Sequence, residues 1–245
     1  MKTAFNIPST QELFESGAHY GHIKGRSHPK AKENVFSVIN KVMIIDLDKT
    51  RQQIISALEF VKEKASQGNS FLFIGTKRQV KDLVEKNAKD LDIPYIANKW
   101  LGGMLTNFST IKNNLKQLEE LENEASQEEF KIKSKKYQSL VNHKINRFHK
   151  VLDGIKKMDK LPDVIIMIDT FNEQIALKEA KQFDIPVVGI ADTNADPNLV
   201  DYPIVINDDA PKAVGLVLNL IKQAIAEGKK NVKYSADKQN QVVEI

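Results

Sequence analysis

The stretch Phe71-Leu-Phe-Ile-Gly-Thr-Lys-Arg78 decides the fold class of this 245-residue chain. Its first four residues form a continuous apolar run, which is typical of a strand in a parallel sheet covered on both faces. Gly75 ends the run, and a helical pattern over 79–90 follows. Val164-Ile-Ile-Met-Ile168 and Pro186-Val-Val-Gly-Ile190 repeat the buried-strand pattern. Strands that alternate with helices predict right-handed βαβ units and a mostly parallel sheet.

Helical spacing and strand alternation of apolar residues predict the elements outside these runs. The helix expected over 9–17 begins at Ser9 and has Glu12 three residues later, which is the spacing of a capping box. Gly17–Gly25 carries three glycines in nine residues and is predicted to be a loop. Further helices are expected over 50–66, 172–183 and 210–226, the last ending at Gly228, and further strands over 35–39, 42–47, 93–97 and 202–206.

A helical pattern without any strand signal separates the two α/β halves. Its apolar residues recur at steps of three and four in two seams with a polar break near 125–127, which is typical of an antiparallel coiled-coil hairpin. The seams are Leu101, Leu105, Phe108, Ile111, Leu115, Leu118 and Leu121, then Leu140 or Val141, Ile145, Phe148, Leu152 and Ile155. We predict a discontinuous α/β body of flavodoxin-like or Rossmann-like class, with a mostly parallel sheet and flanking helices, over 1–100 and 156–228, an inserted hairpin over 101–155, and a flexible tail over 229–245.

Composition excludes several function classes. The net charge of +4 is only mildly basic and does not by itself indicate a nucleic-acid partner. Evidence for such a partner has to come from where the charges lie in the sequence. The chain has no cysteine, which excludes disulfides, thiolate metal sites and a cysteine nucleophile. It shows neither a secretory signal nor an apolar stretch near the ~20 residues of a membrane helix. We therefore expect a cytoplasmic protein without membrane contact.

The turn Gly75-Thr-Lys-Arg78 lies where α/β folds bind phosphate groups. It lacks the glycine spacing of a Walker loop and of a dinucleotide-binding fingerprint. A structural turn is one interpretation, and contact of Lys77 and Arg78 with nucleic-acid phosphates is the other. The sequence contains no recognisable nucleophile elbow, catalytic triad or kinase signature. These observations favour a protein that is not an enzyme and has no small-molecule substrate.

Two basic segments are candidates for contact with RNA phosphates. The glycine-rich loop carries Lys24, Arg26, Lys30 and Lys32, with no acidic residue before Glu33. The second predicted hairpin helix is also basic, and we select from it Lys144, Arg147 and Lys150. A solvated loop and a solvated helix face are the alternative interpretations. A basic stripe on a projecting hairpin suits a polyanionic partner.

Histidines and aspartates offer a weak metal signal. His19 and His22 are three residues apart, and Asp192 and Asp208 lie in loops at strand ends. Imidazole and carboxylate groups together can hold a divalent ion such as zinc or magnesium. Histidines whose hydrogen bonds are satisfied within the protein are the alternative, and no cofactor is required by any other pattern.

Several runs of this sequence resemble the small-subunit ribosomal protein S-two family (uS2), in its bacterial and organellar form. They occur in family order and span about residues 9–226. The most specific run holds the single tryptophan, Trp100, which we interpret as a packing anchor beside a glycine bend. The matching runs are His19-Tyr-Gly-His22, Ile45-Asp-Leu47 with Lys49-Thr50, Phe73-Ile-Gly-Thr-Lys77, Lys99-Trp-Leu-Gly-Gly-Met-Leu-Thr-Asn-Phe108, Gly154-Ile-Lys-Lys-Met158 with Leu161-Pro-Asp163, Ile185-Pro-Val-Val188, Asp192-Thr-Asn194 with Asp196-Pro197, and Asn207-Asp-Asp-Ala210.

The resemblance implies a parallel α/β body that carries a coiled-coil hairpin. It also implies a structural role in the small (30S) ribosomal subunit, between head and body, in contact with small-subunit rRNA and with other ribosomal proteins, in bacteria including S-one. Lys77, Arg78, Lys99 and Asn107 match family segments near RNA. The run Ser27-His-Pro-Lys-Ala31 lacks an aromatic residue common in the family, so the resemblance implies no base stacking there.

Three functions are therefore open at the level of sequence. The first is a ribosomal RNA-binding component that supports translation. The second is an α/β protein that binds a nucleotide or small ligand at the strand ends near Gly75 and Asp192. The third is a protein-interaction scaffold that uses the hairpin seams, whose binding would resist salt and RNase.

Overall fold

The computed structural model describes residues 5–242 of the chain, with side chains to residue 230. The first three strands, β1 (Tyr20–Ile23), β2 (Val35–Ile39) and β3 (Val42–Ile45), form an antiparallel sheet in the order β1-β3-β2. Five strands form a parallel sheet in the order β5-β4-β6-β7-β8. These are β4 (Phe71–Ile74), β5 (Tyr95–Ile96), β6 (Val164–Ile168), β7 (Val187–Ala191) and β8 (Tyr202–Val205).

The parallel sheet has the strand order of flavodoxin-like folds. Relabelled from its first strand, the order is 2-1-3-4-5, and the chain reverses its direction of travel across the sheet between β4 and β6. The predicted α/β class with a mostly parallel sheet is confirmed. Ligands of such folds bind in the crevice outside the carboxyl ends of the strands at that reversal, so this crevice is the first place to look for a small-ligand site.

Helices cover both faces of the sheet. Phe73 of β4 packs with α2, α3 and α8 on one face, and the neighbouring Leu72 and Ile74 pack with α7 and the segments around Trp100 and Ile155 on the other. This explains why β4 is apolar at every position. The helices are α1 (Thr10–Glu15), α2 (Leu47–Ser66), α3 (Lys81–Asp90), α4 (Phe108–Ser126), α5 (Glu128–Ile132), α6 (Lys135–Leu152), α7 (Gln174–Gln182) and α8 (Pro211–Val242).

Local sequence signals placed most element starts within three residues of those observed. Ser9 and Glu12 form the reciprocal hydrogen bonds of the predicted capping box at α1. Within the segment predicted to be a loop, however, Tyr20–Ile23 forms β1 and pairs with β3. That prediction was wrong because a strand that gains its partner only in the tertiary fold needs no strong strand signal of its own.

The predicted helix end at Gly228 was also wrong, since α8 continues to Val242. A side chain at Gly228 would lie 2.6 Å from the carbonyl oxygen of Lys62 and 2.5 Å from Ala65 Cβ. Gly228 therefore permits close packing of α8 on α2, and this packing outweighs the ~1 kcal/mol that glycine costs in a helix. The part of the predicted flexible tail up to residue 242 is helical, and 243–245 lie outside the described residues.

The predicted antiparallel coiled coil is not confirmed. Helices α4 to α6 are inserted between β5 and β6, as expected, and Leu118 and Val141 of the two seams are buried. However, Glu122 contacts Nε2 of His149 at 2.9 Å. A hairpin that turns near 127–134 would place Glu122 opposite about residue 139. Near the turn, the Tyr137 hydroxyl donates to Glu124 at 2.7 Å, as such a hairpin would place it. The two contacts do not share one pairing register, so continuous pairing of the two seams is not established.

Candidate functional site

Charged side chains meet at the carboxyl edge of the parallel sheet. Lys77 follows β4, Asp169 follows β6, Asp192 follows β7, and Asp208 and Asp209 follow β8. Because the carboxyl ends of parallel strands lie at one edge, residues that are far apart in sequence become neighbours there. Asp169 adopts a left-handed backbone conformation with φ of 61°. The edge therefore brings together charged residues from four strand ends.

Lys77 is the centre of this cluster. Its ammonium lies 2.6 Å from Asp208, 2.7 Å from Asp209 and 3.4 Å from Asp169, and its side chain is only 17% exposed. Burial lowers the pKa of Lys77, but hydrogen bonds to Asp208 and Asp209 outweigh burial and hold the pKa above its usual range. The charge of Lys77 is satisfied internally. Lys77 therefore joins the strand ends through internal ion pairs, and its contact with RNA stays a prediction.

Asp208 is the most perturbed acid of the cluster. Burial, followed by the charges of Asp169 and Asp192, raises its pKa to about 7, against the opposing hydrogen bond from Lys77. Its Oδ1 accepts that hydrogen bond, whereas its buried Oδ2 has no hydrogen-bond partner. A buried carboxylate oxygen without a donor is a natural ligand for a cation.

His22 lies beside the same cluster and brings β1 to it. Its Nδ1 is 2.9 Å from Asp192, and its backbone N–H donates to Thr193 Oγ1 at 2.8 Å. The hydrogen bond to Asp192 raises the pKa of His22 against the effect of burial. Ligand atoms of His22, Asp192 and Asp209 all lie within 4.8 Å of one another.

His19, by contrast, is not part of the charged cluster. Its ring stacks on Phe14 with centroids 4.0 Å apart and lies equally close to the ring of Tyr20. Burial lowers the pKa of His19. The stacked ring packs the N-terminal segment. The ligand atoms that lie close together belong to His22, Asp192 and Asp209, so Asp209 takes the place of His19 among the metal candidates.

The crevice between β4 and β6, where the chain reverses its direction across the sheet, contains a buried carboxylate of the protein itself. Glu173 lies at the start of α7 and is buried, and its Oε1 accepts hydrogen bonds from the backbone N–H of Thr76, at 3.1 Å, and from the Thr76 hydroxyl. Asn172 Nδ2 donates to the same hydroxyl at 2.9 Å. The backbone N–H that would bind a ligand phosphate in such a fold is therefore occupied by the protein itself. The sequence offered no signal for this contact, because 97 residues separate the two partners.

Glu173→Gln is expected to remove a pH dependence of stability. Burial raises the pKa of Glu173 above its usual value, so between the unfolded and folded pKa values the folded state binds more protons. The contribution of Glu173 to stability is thus full below its unfolded pKa of about 4.5 and declines as pH rises through the folded pKa. Urea unfolding should show similar stability of both proteins at pH 4 and a more stable variant at pH 8. A variant less stable than the unaltered chain at pH 8 would contradict this account.

The chain is similar in sequence to proteins of one known family. A family model described as Ribosomal protein S2 matches residues 13–228. The chain belongs to this family. A protein named small ribosomal subunit protein uS2 from Dictyoglomus thermophilum is 43% identical over 94% of this chain and 93% of its own length. Proteins with the same name from Nocardia farcinica and Coprothermobacter proteolyticus are 42% and 41% identical, each over 91% of this chain, and over 78% and 83% of their own lengths.

The ribosomal protein S2 family is one of structural proteins, so we assign the chain no enzymatic activity. Two of the runs that carry the family resemblance have packing roles. Trp100 is buried against the sheet, as interpreted above. Gly154 lies where β5 meets the segment after α6, and any side chain there would overlap with the carbonyl oxygen of Tyr95.

The remaining basic candidates are exposed at several places on the described surface. Lys24, Arg26 and Lys32 lie on the loops between β1 and β2, where Lys30 also lies but pairs with Asp196 at 3.0 Å. No ion pair involves the first three among the residues whose side chains are described. The other exposed candidates are Arg78, Lys99, Asn107, Lys144, Arg147 and Lys150. Ion pairing therefore separates free cations from satisfied ones, which the sequence could not do.

None of the helices in the described part of the chain combines the length and apolar character that crossing a bilayer requires.

Proposed function

We propose that this chain is a structural component of the small ribosomal subunit, which binds small-subunit rRNA between head and body and supports translation in the cytoplasm. The observation that carries the proposal is the basic loop between β1 and β2, in a chain of the ribosomal protein S2 family. Lys24, Arg26 and Lys32 are exposed and lack acidic partners among the described side chains. Such cations contribute salt-dependent affinity for a phosphate backbone.

The alternative, a protein that binds a nucleotide at the strand ends, is disfavoured by two internal contacts. Glu173 occupies the backbone N–H of Thr76, and Lys77 is held by three carboxylates. An incoming phosphate would have to displace a buried carboxylate and would meet the acidic groups around Lys77. A thermal-shift measurement with nucleotides should therefore give no stabilisation.

The function is tested by sedimentation of tagged protein from lysate through a sucrose gradient, with and without RNase. We expect co-migration with the small subunit, and we expect RNase or high salt to abolish it. A peak that stays at the top of the gradient in both conditions would exclude the ribosomal role. Co-migration that resists both treatments would instead favour a scaffold held by protein contacts alone.

We also propose that the inserted segment 101–155 acts as a helical hairpin on the subunit, binds rRNA through one basic face, and contacts other ribosomal proteins, with S-one as one candidate. Lys144, Arg147 and Lys150 recur every three residues on α6 and are exposed, which gives the helix one basic face. Deletion of 108–152 with a short linker should weaken association with the subunit. Unchanged association after this deletion would remove the hairpin from the interface.

We further propose that His22, Asp192 and Asp209 hold a divalent cation, with Asp208 beside them. The mixed imidazole and carboxylate ligands suit zinc better than magnesium, which prefers oxygen ligands alone. The unpartnered Oδ2 of Asp208 supports a positive charge at this position. We expect calorimetry to show zinc binding that His22→Ala weakens by on the order of tenfold or more. His143→Ala, at an exposed position of α6, is the matched control, and equal zinc binding by all three proteins would exclude the site.

A further inference from the structure

Glu179 is a buried acid whose carboxylate accepts hydrogen bonds from several groups of one loop. It lies on α7 and is 6% exposed. Its Oε1 accepts from Trp100 Nε1 at 3.1 Å and from the N–H of Gly103 at 2.7 Å. Its Oε2 accepts from the N–H of Leu105 at 2.9 Å and from the N–H and hydroxyl of Thr106 at 3.2 and 3.3 Å. One side chain therefore binds four residues of the segment 100–106.

No cation pairs with Glu179 among the side chains that the structure describes. The charge is compensated instead by neutral N–H and O–H groups, as in a protein site for a bound anion. Burial raises the pKa of Glu179, but the hydrogen bonds from Trp100 and the loop outweigh burial and hold the pKa below its usual value. The carboxylate thus stays charged at neutral pH and keeps all five donors engaged.

The loop depends on these bonds for its shape. The N–H groups of Gly103, Leu105 and Thr106 precede α4, and their recorded partner is Glu179. Gly103 adopts a φ of 91°, a conformation that few other residues tolerate. Without Glu179, three backbone donors close to the sheet would lose their acceptor, and each would cost about 1–3 kcal/mol if it stayed buried. The loop would then take up other conformations.

The loop ends in two of the expected RNA contacts. Lys99 is exposed directly before the buried Trp100, and Asn107 is exposed directly after Thr106. The Oδ1 of Asn107 accepts from Thr110 at 2.7 Å, which directs its amide group at the start of α4. Both residues therefore flank the segment that Glu179 holds, and their positions are fixed only while that segment is folded.

We infer that Glu179 is a positioning residue for RNA binding, which presents Lys99 and Asn107 to the rRNA although it touches no RNA itself. This role rests on the proposed function. Replacing Glu179 should therefore lower RNA affinity about as much as replacing one basic residue at the surface.

A double-mutant cycle tests this role, with small subunits washed free of this protein in high salt as the probe. Lys99→Ala alone should weaken binding about five- to eightfold at 0.1 M salt, since one phosphate contact contributes a salt slope of about 0.7 to 0.9. In the Glu179→Gln background, Lys99→Ala should change affinity less than twofold. Glu179→Gln alone should lower the salt slope by about one contact. A loss of fold stability alone would not change that slope.

Glu173→Gln is the matched control, because it removes another buried charge at the start of the same helix without touching this loop. In that background, Lys99→Ala should keep its full effect. Trp100→Phe removes a single donor and keeps a smaller aromatic side chain, so it should give intermediate coupling if Glu179→Gln fails to fold. Additive effects of Glu179→Gln and Lys99→Ala, or of Trp100→Phe and Lys99→Ala, would overturn the role of Glu179. They would leave the proposed function unaffected. Failure of the unaltered chain to bind would overturn the proposed function and this role together.

Discussion

Replacing Lys24, Arg26 and Lys32 together by alanine should weaken binding to small subunits about 100- to 500-fold at 0.1 M salt. Each lysine or arginine that neutralises a phosphate contributes about 0.7 to 0.9 to the slope of log affinity against log salt, so three contacts contribute about 2.1 to 2.7 log units between 1 M and 0.1 M. All three side chains are exposed and none forms an ion pair within the described side chains. Their charge is therefore free for an external partner.

The measurement is the affinity for washed subunits at several salt concentrations. The difference between the variant and the unaltered chain should vanish as salt approaches 1 M, because released counterions then gain little entropy. The control replaces Lys86, Lys181 and Lys230, which removes the same charge. These lysines are exposed, form no ion pair within the described side chains, and lie on α3, α7 and α8, helices that run away from the carboxyl edge of the sheet. An equal loss in both triple variants would show that total charge matters and that this loop is not the interface.

Gly154→Ala should destabilise the fold by about 3 kcal/mol, at the upper end of the range for an overpacked site. The added Cβ would lie 2.1 Å from the carbonyl oxygen of Tyr95 and 3.0 Å from its carbonyl carbon. These are backbone atoms of β5, so no side-chain rotation relieves the clash. The segment after α6 would have to move away from the sheet, and buried Leu152 and Ile155 on either side of it would lose packing.

Urea unfolding measures this difference directly. Gly25→Ala is the matched control, since no atom lies within 4 Å of the added methyl group, and its stability should stay within about 0.5 kcal/mol of the unaltered chain. Equal stability of both alanine variants would mean that β5 and the segment around Gly154 do not pack as described. The family run that begins at Gly154 would then need another explanation.

Sequence alone determined the class of the fold and most of its elements. The apolar run Phe71–Ile74 matches β4 residue for residue, and Val164–Ile168 matches β6. These strands are recognisable because helices cover both faces of the sheet, so every position is apolar whatever the rest of the chain does. The capping box at Ser9 was equally predictable, since its partners lie three residues apart.

Only the tertiary structure decided which charged residues are available to a partner. Lys77 and Arg78 are adjacent in sequence, yet Lys77 is held by three carboxylates from two other strand ends, whereas Arg78 is exposed. The same holds for the acids, because Glu173 and Glu179 look like ordinary residues of an amphipathic helix. Apart from Asn172, which is adjacent to Glu173, their donors are 73 to 97 residues away. A sequence pattern records local spacing, but the energy of a buried charge depends on groups that meet only when distant strands align.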